Sequence, residues 1–262
     1  MSLKSKQKLL RKNLLSLYYT AKVGHIGSSL SCLDLLIALF QKKEKNENIL
    51  LSKGHAAGAL YIVLNDLGEI SDDMLNTFCQ NGTKLSAHPS SNTSENIPFA
   101  SGSLGHGLPI GCGIAYANRL QKKNDYTYVL MSDGETNEGS VWEAAHFAVS
   151  KKLDHLIVII DKNNLQAFGI PKDILGDTAS FHKWKSLGFD VYELDGHNVS
   201  EICEKVDEFK LLKNGIPKLI IAHTTKGKGV SFMENKMEWH YLPMNEKQYQ
   251  EALISLEKNY DA

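Results

Sequence analysis

The stretch 128–169, YVLMSDGETNEGSVWEAAHFAVSKKLDHLIVIIDKNNLQAFG, decides the predicted fold. Its first apolar run ends just before Asp133, a helix-length segment follows, and a second apolar run, 156–160, ends just before the polar tetrapeptide 161–164. This order predicts a strand–helix–strand unit of a parallel sheet. Ligands bind at the carboxyl ends of the strands in an open parallel sheet, so the polar residues that follow the two runs are expected to share one site.

Oxygen ligands follow both of these predicted strands. Asp133 offers a carboxylate, Asn163 offers an amide oxygen, and the loop after Asn163 offers a free backbone carbonyl. A hard dication such as Mg²⁺ takes few protein oxygens and fills its remaining positions with phosphate and water. The stretch therefore indicates a site for a metal-bound diphosphate, although an ordinary strand–helix–strand unit with polar turns contains the same residue types.

Strand-like and helix-like segments alternate along the rest of the chain. The predicted strands are 49–52, 127–132, 155–160, 189–194 and 217–222, and the predicted helices are 5–21, 33–40, 56–67, 71–79, 108–121, 139–151, 178–187 and 199–213. The alternation predicts an α/β fold with a doubly wound, mostly parallel sheet and helices on both faces. Residues 223–245 are expected to be irregular, and 1–262 to form a single domain.

The composition is that of an ordinary globular protein. Hydrophobic residues make up 42% of the 262 residues, charged residues make up 23%, and the net charge is −1, so neither nucleic acid nor a membrane is an expected partner. Cys32, Cys79, Cys112 and Cys203 are widely spaced and are expected to be free thiols. The absence of a bilayer-length apolar run and of signal-peptide features predicts a cytoplasmic protein.

Five of the ten histidines lie in predicted loops or turns. They are His25, His55, His88, His106 and His240. An imidazole can donate to phosphate, bind a hydroxyl or move protons near neutral pH, and neighbouring glycines let backbone N–H groups approach a diphosphate. A single loop histidine is more often an ordinary solvated residue, but several in such settings indicate a shared site.

The remaining histidines are treated differently. Three of them, His146, His155 and His182, lie in or beside predicted regular elements and are assigned to structure or surface, whereas His197 and His223 are left open.

Taken in order, these segments resemble the N-terminal, diphosphate-binding half of transketolase. The resemblance rests on Gly-His-x-Gly at 24–27, Leu-Ser-Lys-Gly-His at 51–55, Ala-His-Pro at 87–89, Gly-Ser-Leu-Gly-His-Gly at 102–107, the Asp-Gly and Asn-Asn pairs of the thiamine diphosphate motif, and the late His240. It covers nearly the whole chain. Ser132 replaces the first glycine of the motif, His106 stands where many full-length transketolases have Gln, and Ser103 stands where they often have Pro.

The resemblance implies two bound groups. A divalent metal, Mg²⁺ or alternatively Ca²⁺ or Mn²⁺, is expected on Asp133, Asn163 and the backbone carbonyl of Leu165. The residues expected to contact thiamine diphosphate are His55, Gly102, Leu104, Gly134, Asn163 and His240. The cofactor would carry the transfer of a two-carbon ketol unit from a ketose, or its phosphate, to an aldose.

Four residues are expected to be catalytic by the same resemblance. His25, His88 and His240 match histidines that surround the donor sugar and move its hydroxyl protons. Glu138 matches an acidic residue at the subunit contact that couples two active sites, although a carboxylate in a first helical turn is also favoured electrostatically.

The resemblance also implies a partner. The pyrimidine-binding and C-terminal domains of a full transketolase have no counterpart here and are expected on a second polypeptide, with two copies of each chain in the assembly. Arg11 and Arg119, the only arginines, fall on predicted helices, so most of the clamp for a sugar phosphate is also expected from that partner. Lys226 and Lys228 could contact phosphate, but a solvated loop explains them equally well.

Four alternatives remain open. The chain could be the α subunit of a 2-oxo acid dehydrogenase, although the donor histidines favour a sugar site. It could also be part of a deoxyxylulose phosphate synthase-like enzyme, which His106 supports, or a non-catalytic assembly module with the same fold. A dinucleotide-binding protein is disfavoured because no GxGxxG follows the first predicted strand.

Overall fold

The computed structural model of the protein describes residues 1–261, and its centre is a five-stranded parallel sheet. The strands are β1 (Asn48–Leu51), β2 (Thr127–Ser132), β3 (Leu156–Lys162), β4 (Asp190–Asp195) and β5 (Lys218–His223), arranged in the order β1-β2-β3-β5-β4. All four pairings are parallel. The predicted α/β fold is confirmed, and every predicted strand has its counterpart.

Helices cover both faces of this sheet. They are α1 (Leu3–Ala21), α2 (Ile26–Lys42), α3 (Ala57–Asp66), α4 (Asp72–Leu75), α5 (Gly107–Leu120), α6 (Gly139–Ser150), α7 (Pro171–Leu175), α8 (Phe181–Leu187), α9 (Val199–Leu211) and α10 (Glu246–Asp261). Short 3₁₀ turns occur at Gly54–Ala56, Gly134–Asn137 and Met237–His240.

Alternate strand residues enter two different cores. In β2, Tyr128 and Leu130 pack into the core that includes residues of α1, α2, α3, α9 and α10, whereas Val129 and Met131 pack into the core that includes residues of α5, α6 and α8. Because both faces of the sheet are covered, β2, β3 and β5 are buried along nearly their whole length, whereas the edge strand β4 has exposed residues such as Glu193. The polar residues of the sheet are therefore concentrated at its edges and strand ends.

Three helix predictions need correction. The predicted helix 33–40 is too short, since α2 begins at Ile26 despite the poor helix propensity of its first residues, Gly and Ser, because burial in the core overrides that preference. The predicted helix 71–79 is only α4, followed by turns. No element is predicted beyond residue 245, yet α10 starts there with reciprocal capping bonds of 2.9 Å between Asn245 and Gln248.

A buried ion pair ties the N-terminal helices to the end of β5. Arg11 on α1 donates to Asp34 on α2, and the Nδ1–H of His197 donates to the same carboxylate at 2.8 Å. His197 Nε2 accepts from the backbone N–H of Thr225 at 2.9 Å, which shows that the proton lies on Nδ1. Burial opposes ionisation of Asp34, but Arg11 and His197 outweigh it and hold the pKa of Asp34 well below its usual value. His197, left open by the sequence, therefore positions the segment that follows β5.

Other predictions concern thiols, loops and membranes. All four cysteines are free thiols, as predicted. Residues 81–103 contain no helix or strand, and 223–245 are irregular apart from the end of β5 and one 3₁₀ turn. Within the described residues, no helix combines the length and apolar character needed to cross a bilayer.

Candidate functional site at the carboxyl edge of the sheet

Four of the five loop histidines meet at the carboxyl edge of the sheet. The ring centroid of His25 lies 5.6 Å from that of His55, 6.1 Å from that of His88 and 5.2 Å from that of His240. His55 and His240 are 5.3 Å apart. We call these four residues the histidine cluster. His106 is different, since its side chain is exposed at the start of α5.

Close backbone approaches hold this cluster together. His25 itself has a φ of 74°, a left-handed conformation that is costly for a residue with a Cβ and is common at functional sites. A Cβ at Gly24 would lie 2.3 Å from the carbonyl oxygen of Tyr241, and Gly227 donates its N–H to the carbonyl of Gly27 at 3.0 Å. The start of α2 and the irregular segment after β5 are therefore pressed together where the histidines meet.

Burial keeps the four histidines neutral at neutral pH. It lowers the pKa of His25, with His88 and Lys226 adding to the effect, and it lowers the pKa of His88. It also lowers the pKa of His55 well below the usual value, where Lys53 and the other histidines add repulsion. Neutral imidazoles both donate and accept hydrogen bonds, so this cluster can hold hydroxyl groups and pass protons between them.

Lys226 is a buried member of the site that sequence reasoning left ambiguous. Its ammonium donates to the carbonyl of Leu165 at 3.1 Å and to Nδ1 of His240 at 2.8 Å. Burial, followed by repulsion from Lys53, lowers the pKa of Lys226 to about 8. Burial and the adjacent Lys226 lower the pKa of His240 to about 3, so its Nδ1 is the acceptor. In the sequence, the signal for Lys226 was its position just after a strand and beside glycines.

The three predicted metal ligands lie close together on the loops that follow β2 and β3. The Asp133 carboxylate accepts from the backbone N–H groups of Gly134 at 2.7 Å and Asn164 at 2.6 Å. Asn163 Oδ1 accepts from the N–H of Leu165 at 3.0 Å. Burial and the nearby Asp161 raise the pKa of Asp133 to about 6. Among the described residues, no cationic side chain is bonded to the Asp133 carboxylate, so its negative charge is not compensated by an ion pair.

A set of one carboxylate, one amide and one backbone carbonyl suits a hard cation. Within residues 1–261, no three His, Cys, Asp or Glu side chains are grouped as a metal site. The predicted set contains only one such residue, Asp133, and its other donors are neutral oxygens of the kind that Mg²⁺ and Ca²⁺ accept. The carbonyl of Leu165 has two lone pairs, so its bond from Lys226 leaves one acceptor position.

A buried ion pair that sequence reasoning missed lies beneath these ligands. Lys53, two residues before His55, pairs with Asp161 at the end of β3, and both side chains are completely buried. Asp161 also accepts from the hydroxyl groups of Ser31 and Thr224. In the sequence, both charged residues stand at the end of an apolar strand. A charge that is buried at such a place is rarely unpaired.

The glycine-rich turn 102–107 is anchored to the same edge by a buried carboxylate. Glu135 accepts from the N–H of Gly105 at 2.9 Å, from the N–H of Ser132 at 3.2 Å and from the hydroxyl of Ser52. Gly105 has a φ of 84°, and a Cβ there would lie 2.7 Å from the Cβ of Glu138. The turn needs glycine at this position, and Glu135 is a residue that sequence reasoning did not single out.

The predicted cofactor-lining residues of this turn border the histidine cluster. A Cβ added to Gly102 would lie 3.6 Å from the ring of His88, and Leu104 is half-buried in the same turn. Glu138 is exposed and begins α6 without a side-chain capping bond. Its carboxylate is therefore available at the surface, beside the turn.

The fold and this cluster first define a class: an α/β domain that presents polar residues for a ligand at the carboxyl edge of a parallel sheet. Residues 8–259 match the family model described as "Transketolase, thiamine diphosphate binding domain". The chain therefore belongs to the transketolase family, within the portion that binds thiamine diphosphate.

Individual relatives agree with this assignment. The chain is 40% identical over 253 residues to an apulose-4-phosphate transketolase subunit of Phocaeicola vulgatus, and the match covers 93% of this chain and 89% of the relative. It is 36% identical over 246 residues to the 6-deoxy-6-sulfo-D-fructose transketolase subunit SqwG of a Clostridium species, and this match covers 90% of this chain and 89% of the relative. The crystal structure of transketolase from Campylobacter jejuni superposes with a TM-score of 0.87 and 27% identity, covering all of this chain but 43% of that one.

These findings confirm the predicted family and fold. They favour a transketolase over a deoxyxylulose phosphate synthase-like enzyme, a dinucleotide-binding protein or one chain of a 2-oxo acid dehydrogenase. The roles assigned to single residues stay predictions.

Proposed function

We propose that this chain is the N-terminal subunit of a split transketolase, which uses thiamine diphosphate and a divalent metal to transfer a two-carbon ketol unit between sugars. Residues 1–262 form one cofactor-binding domain in this proposal. The pyrimidine-binding and C-terminal domains lie on a second polypeptide that completes each active site.

One observation carries the proposal: the site contains a buried carboxylate and a buried ammonium that do not pair with each other. Within the described residues, Asp133 accepts only from backbone N–H groups, and Lys226 donates only to neutral acceptors. Buried charges are normally paired. A bound metal–diphosphate complex would supply the opposite charge to each of them, since Asp133 would hold its cation and Lys226 would hold its phosphates.

The residues present fit both parts of that complex. Asp133, Asn163 and the carbonyl of Leu165 would hold Mg²⁺, or Ca²⁺ or Mn²⁺ in its place. A further fit comes from Gln166, whose Nε2 is buried without a hydrogen-bond partner and whose side chain packs over Gly134. Such an orphaned donor beside a predicted diphosphate contact suits a ligand with many acceptor oxygens.

The diphosphate and the rings of the cofactor would meet the remaining predicted contacts. Lys226, His55, His240 and the backbone of Gly134 would hold the diphosphate, and Gly102 with Leu104 would line the rings. When bound, thiamine diphosphate supplies the electron sink for breaking and forming the carbon–carbon bond.

The chain's own contribution to the reaction is positioning and proton transfer. His25 and His88 would bind hydroxyl groups of the donor sugar, and His240 would contact both sugar and cofactor. Because burial keeps the rings of His25 and His88 neutral near pH 7, each can accept a proton at one nitrogen while donating from the other, whereas Nδ1 of His240 already accepts from Lys226 and leaves the Nε2–H to donate.

A partner polypeptide is proposed because both arginines of this chain, the residue type best suited to clamp a sugar phosphate, have other bonding partners. Arg11 is buried against Asp34, and Arg119 donates to the backbone carbonyls of Lys151 and Lys152. Both arginines are thus engaged in structure. The relatives named as subunits align over 89% of their length, whereas a one-chain transketolase is covered to 43%. We propose an assembly with two copies of each chain, in which the exposed Glu138 lies at the subunit contact.

The test measures cofactor binding first and enzymatic turnover second. The purified chain, with and without the polypeptide that matches the remainder of a transketolase, is titrated with thiamine diphosphate plus Mg²⁺, and its thermal stabilisation is measured. We expect metal-dependent stabilisation, strongest with the partner. The absence of stabilisation in both samples would contradict the proposal.

Ketol transfer is then assayed on a panel that includes xylulose 5-phosphate and apulose 4-phosphate, with pyruvate as the alternative donor. We expect turnover of a sugar by the pair and negligible turnover by the chain alone. Robust ketol transfer by the isolated chain would exclude the split arrangement, and turnover of pyruvate in place of sugars would favour a 2-oxo acid enzyme.

A further inference from the structure

We propose that Ser31 is a positioning residue that holds the side-chain amide of Asn163 in one orientation, with Oδ1 on the side of Leu165 and Nδ2 on the side of α2. The inference rests on the proposed function, in which Asn163 is a metal ligand through Oδ1. Ser31 itself touches neither of the proposed bound groups.

The hydroxyl of Ser31 has hydrogen bonds on two sides. Ser31 is completely buried on α2, and its Oγ donates to Oδ1 of Asp161 at 2.7 Å. The same Oγ accepts from Nδ2 of Asn163 at 3.0 Å. A carboxylate only accepts, so the single hydrogen of the hydroxyl is committed to Asp161 and its lone pairs remain for Asn163.

This arrangement excludes the flipped amide. After a flip, Oδ1 of Asn163 would face the lone pairs of Ser31, and Nδ2 would face the N–H of Leu165 that Oδ1 now accepts at 3.0 Å. Both contacts would then join like groups, and a buried polar group without a partner is costly. The two neighbours therefore select the same orientation, which presents the amide oxygen beside the carbonyl of Leu165.

The direction of the Ser31 hydroxyl is fixed in turn by a buried platform. Asp161 is held by the ammonium of Lys53 and by the hydroxyl of Thr224, which lies 3.0 Å from Oγ of Ser31. Together with Ser31 on α2, these donors come from three parts of the chain, since Lys53 follows β1 and Thr224 follows β5. Hydrogen bonding thus runs from Lys53 through Asp161 and Ser31 to Asn163, and none of the first three is a proposed metal ligand.

Orientation matters most for a small metal. Mg²⁺ demands near-octahedral geometry at short distances, whereas Ca²⁺ tolerates irregular coordination at longer ones. Loss of an outer hydrogen-bond partner of a metal ligand costs about 10- to 100-fold in metal affinity. Removing the Ser31 hydroxyl should therefore weaken the binding of thiamine diphosphate more when Mg²⁺ is the metal than when Ca²⁺ is the metal.

The experiment compares Ser31→Ala with Ser29→Ala in the full chain. Ser29 is a matched control because it is also completely buried on α2, but its Oγ bonds to the hydroxyl of Tyr18 at 2.7 Å, away from Asn163. Each protein is titrated calorimetrically with thiamine diphosphate at saturating Mg²⁺ and again at saturating Ca²⁺, with the partner polypeptide present if the wild type requires it. Urea unfolding of the ligand-free proteins records the structural effect separately.

We expect Ser31→Ala to weaken binding about 10-fold with Mg²⁺ and less than about threefold with Ca²⁺, and Ser29→Ala to leave both affinities unchanged. Ser31→Cys, which keeps a weak hydrogen-bonding group, should fall between them and carries the test if Ser31→Ala does not fold. Equal losses with the two metals, or affinities equal to those of Ser29→Ala, would overturn the inference and leave the proposed function intact. A wild type that shows no metal-dependent binding would overturn both.

Discussion

The two edges of the sheet both bury carboxylates, but only one edge neutralises them fully. At the amino edge, just before β1, Glu47 accepts from the hydroxyl of Tyr128, the ammonium of Lys210 and the N–H of Glu44, each at 2.9 Å. At the carboxyl edge, Asp133 accepts hydrogen bonds from two backbone N–H groups and, among the described residues, from no cationic side chain. The buried ammonium of Lys226 likewise donates to no anionic group among those residues.

The comparison contrasts Glu47, a carboxylate bonded to Lys210, with Asp133, a proposed metal ligand to which no described cation is bonded. Burying a charge costs several kcal/mol unless a partner compensates it, so a balanced cluster stabilises the fold. A buried charge without a partner destabilises the ligand-free protein. A ligand of complementary charge removes part of that destabilisation when it binds. Shifted pKa values at such a place are a physical signature of a site.

The largest expected effect comes from Asp133→Asn, which removes the unbalanced carboxylate. We expect the affinity for thiamine diphosphate with Mg²⁺ to fall at least about 100-fold, or about 2.7 kcal/mol, because the proposed metal site loses its only carboxylate. The free energy of unfolding of the ligand-free chain should change by less than about 1 kcal/mol, since relief of the buried charge offsets one lost hydrogen bond. Calorimetric titration and urea unfolding measure the two quantities. Full retention of affinity would remove Asp133 from the site.

The matching change at the balanced edge is Glu47→Gln. It should lower the free energy of unfolding by about 2 kcal/mol, because it removes the nearer carboxylate partner of Lys210, leaving the exposed Glu44 at 3.7 Å, and weakens several bonds at once. Cofactor affinity should stay the same. Urea unfolding and the same titration provide the measurement, and a change in affinity comparable to that of Asp133→Asn would erase the distinction between the edges.

Lys226→Met tests the unbalanced ammonium. We expect thiamine diphosphate to bind about 10-fold more weakly, near 1.4 kcal/mol, because the diphosphate loses a charge-assisted hydrogen bond. Thiamine, which lacks the diphosphate, should be affected little. Lys228→Met is the control, since Lys228 is a half-exposed neighbour in the same segment. Equal losses for the two lysine variants would point to a general electrostatic effect.

The same lysine predicts how stability depends on pH. The pKa of Lys226 is about 8 in the folded chain, below its usual value of 10.5, so the unfolded chain binds more protons between these two values. The free energy of unfolding of the ligand-free protein should therefore gain a contribution that rises with pH from about 8 to 10. Unfolding across this range, compared with Lys226→Met, isolates that contribution. A wild type and variant with parallel pH profiles would contradict the buried, unpaired ammonium.

The smallest effect is expected for His106→Gln, which introduces the residue common in full-length transketolases. His106 is exposed and lies outside the histidine cluster, so stability and cofactor affinity should change by less than about 0.5 kcal/mol. Thermal unfolding and titration check both. A tenfold loss of cofactor affinity would show that position 106 belongs to the binding site after all.

The sequence predicted the strands better than the polar network. Apolar runs and the turns between them identified all five strands, and the signal is most continuous in β2, β3 and β5, where burial on both faces requires apolar residues. The loop histidines were recognisable from their local context. The pairing of Lys53 with Asp161 was not, because Lys53 follows β1 and Asp161 lies near the end of β3, and no pattern in the chain reports which distant residues meet.

Two local misses have separate reasons. The start of α2 was missed because Gly and Ser residues with low helix propensity lie where tertiary packing imposes a helix. Lys226 is equally compatible with a solvated loop in the sequence, because its context shows glycines but not the close approach of Gly227 to Gly27 that buries it. Backbone contacts of this kind depend on the folded arrangement of two segments distant in sequence.

An ammonium held only by neutral acceptors has a practical consequence for anyone handling this protein. In the proposed function, Lys226 and the adjacent imidazoles hold the diphosphate, so we expect orthophosphate, sulfate and pyrophosphate in a buffer to compete for the same place. We then expect affinities measured in phosphate-buffered solutions to be too weak. Dialysis into a zwitterionic amine buffer should tighten every titration described above.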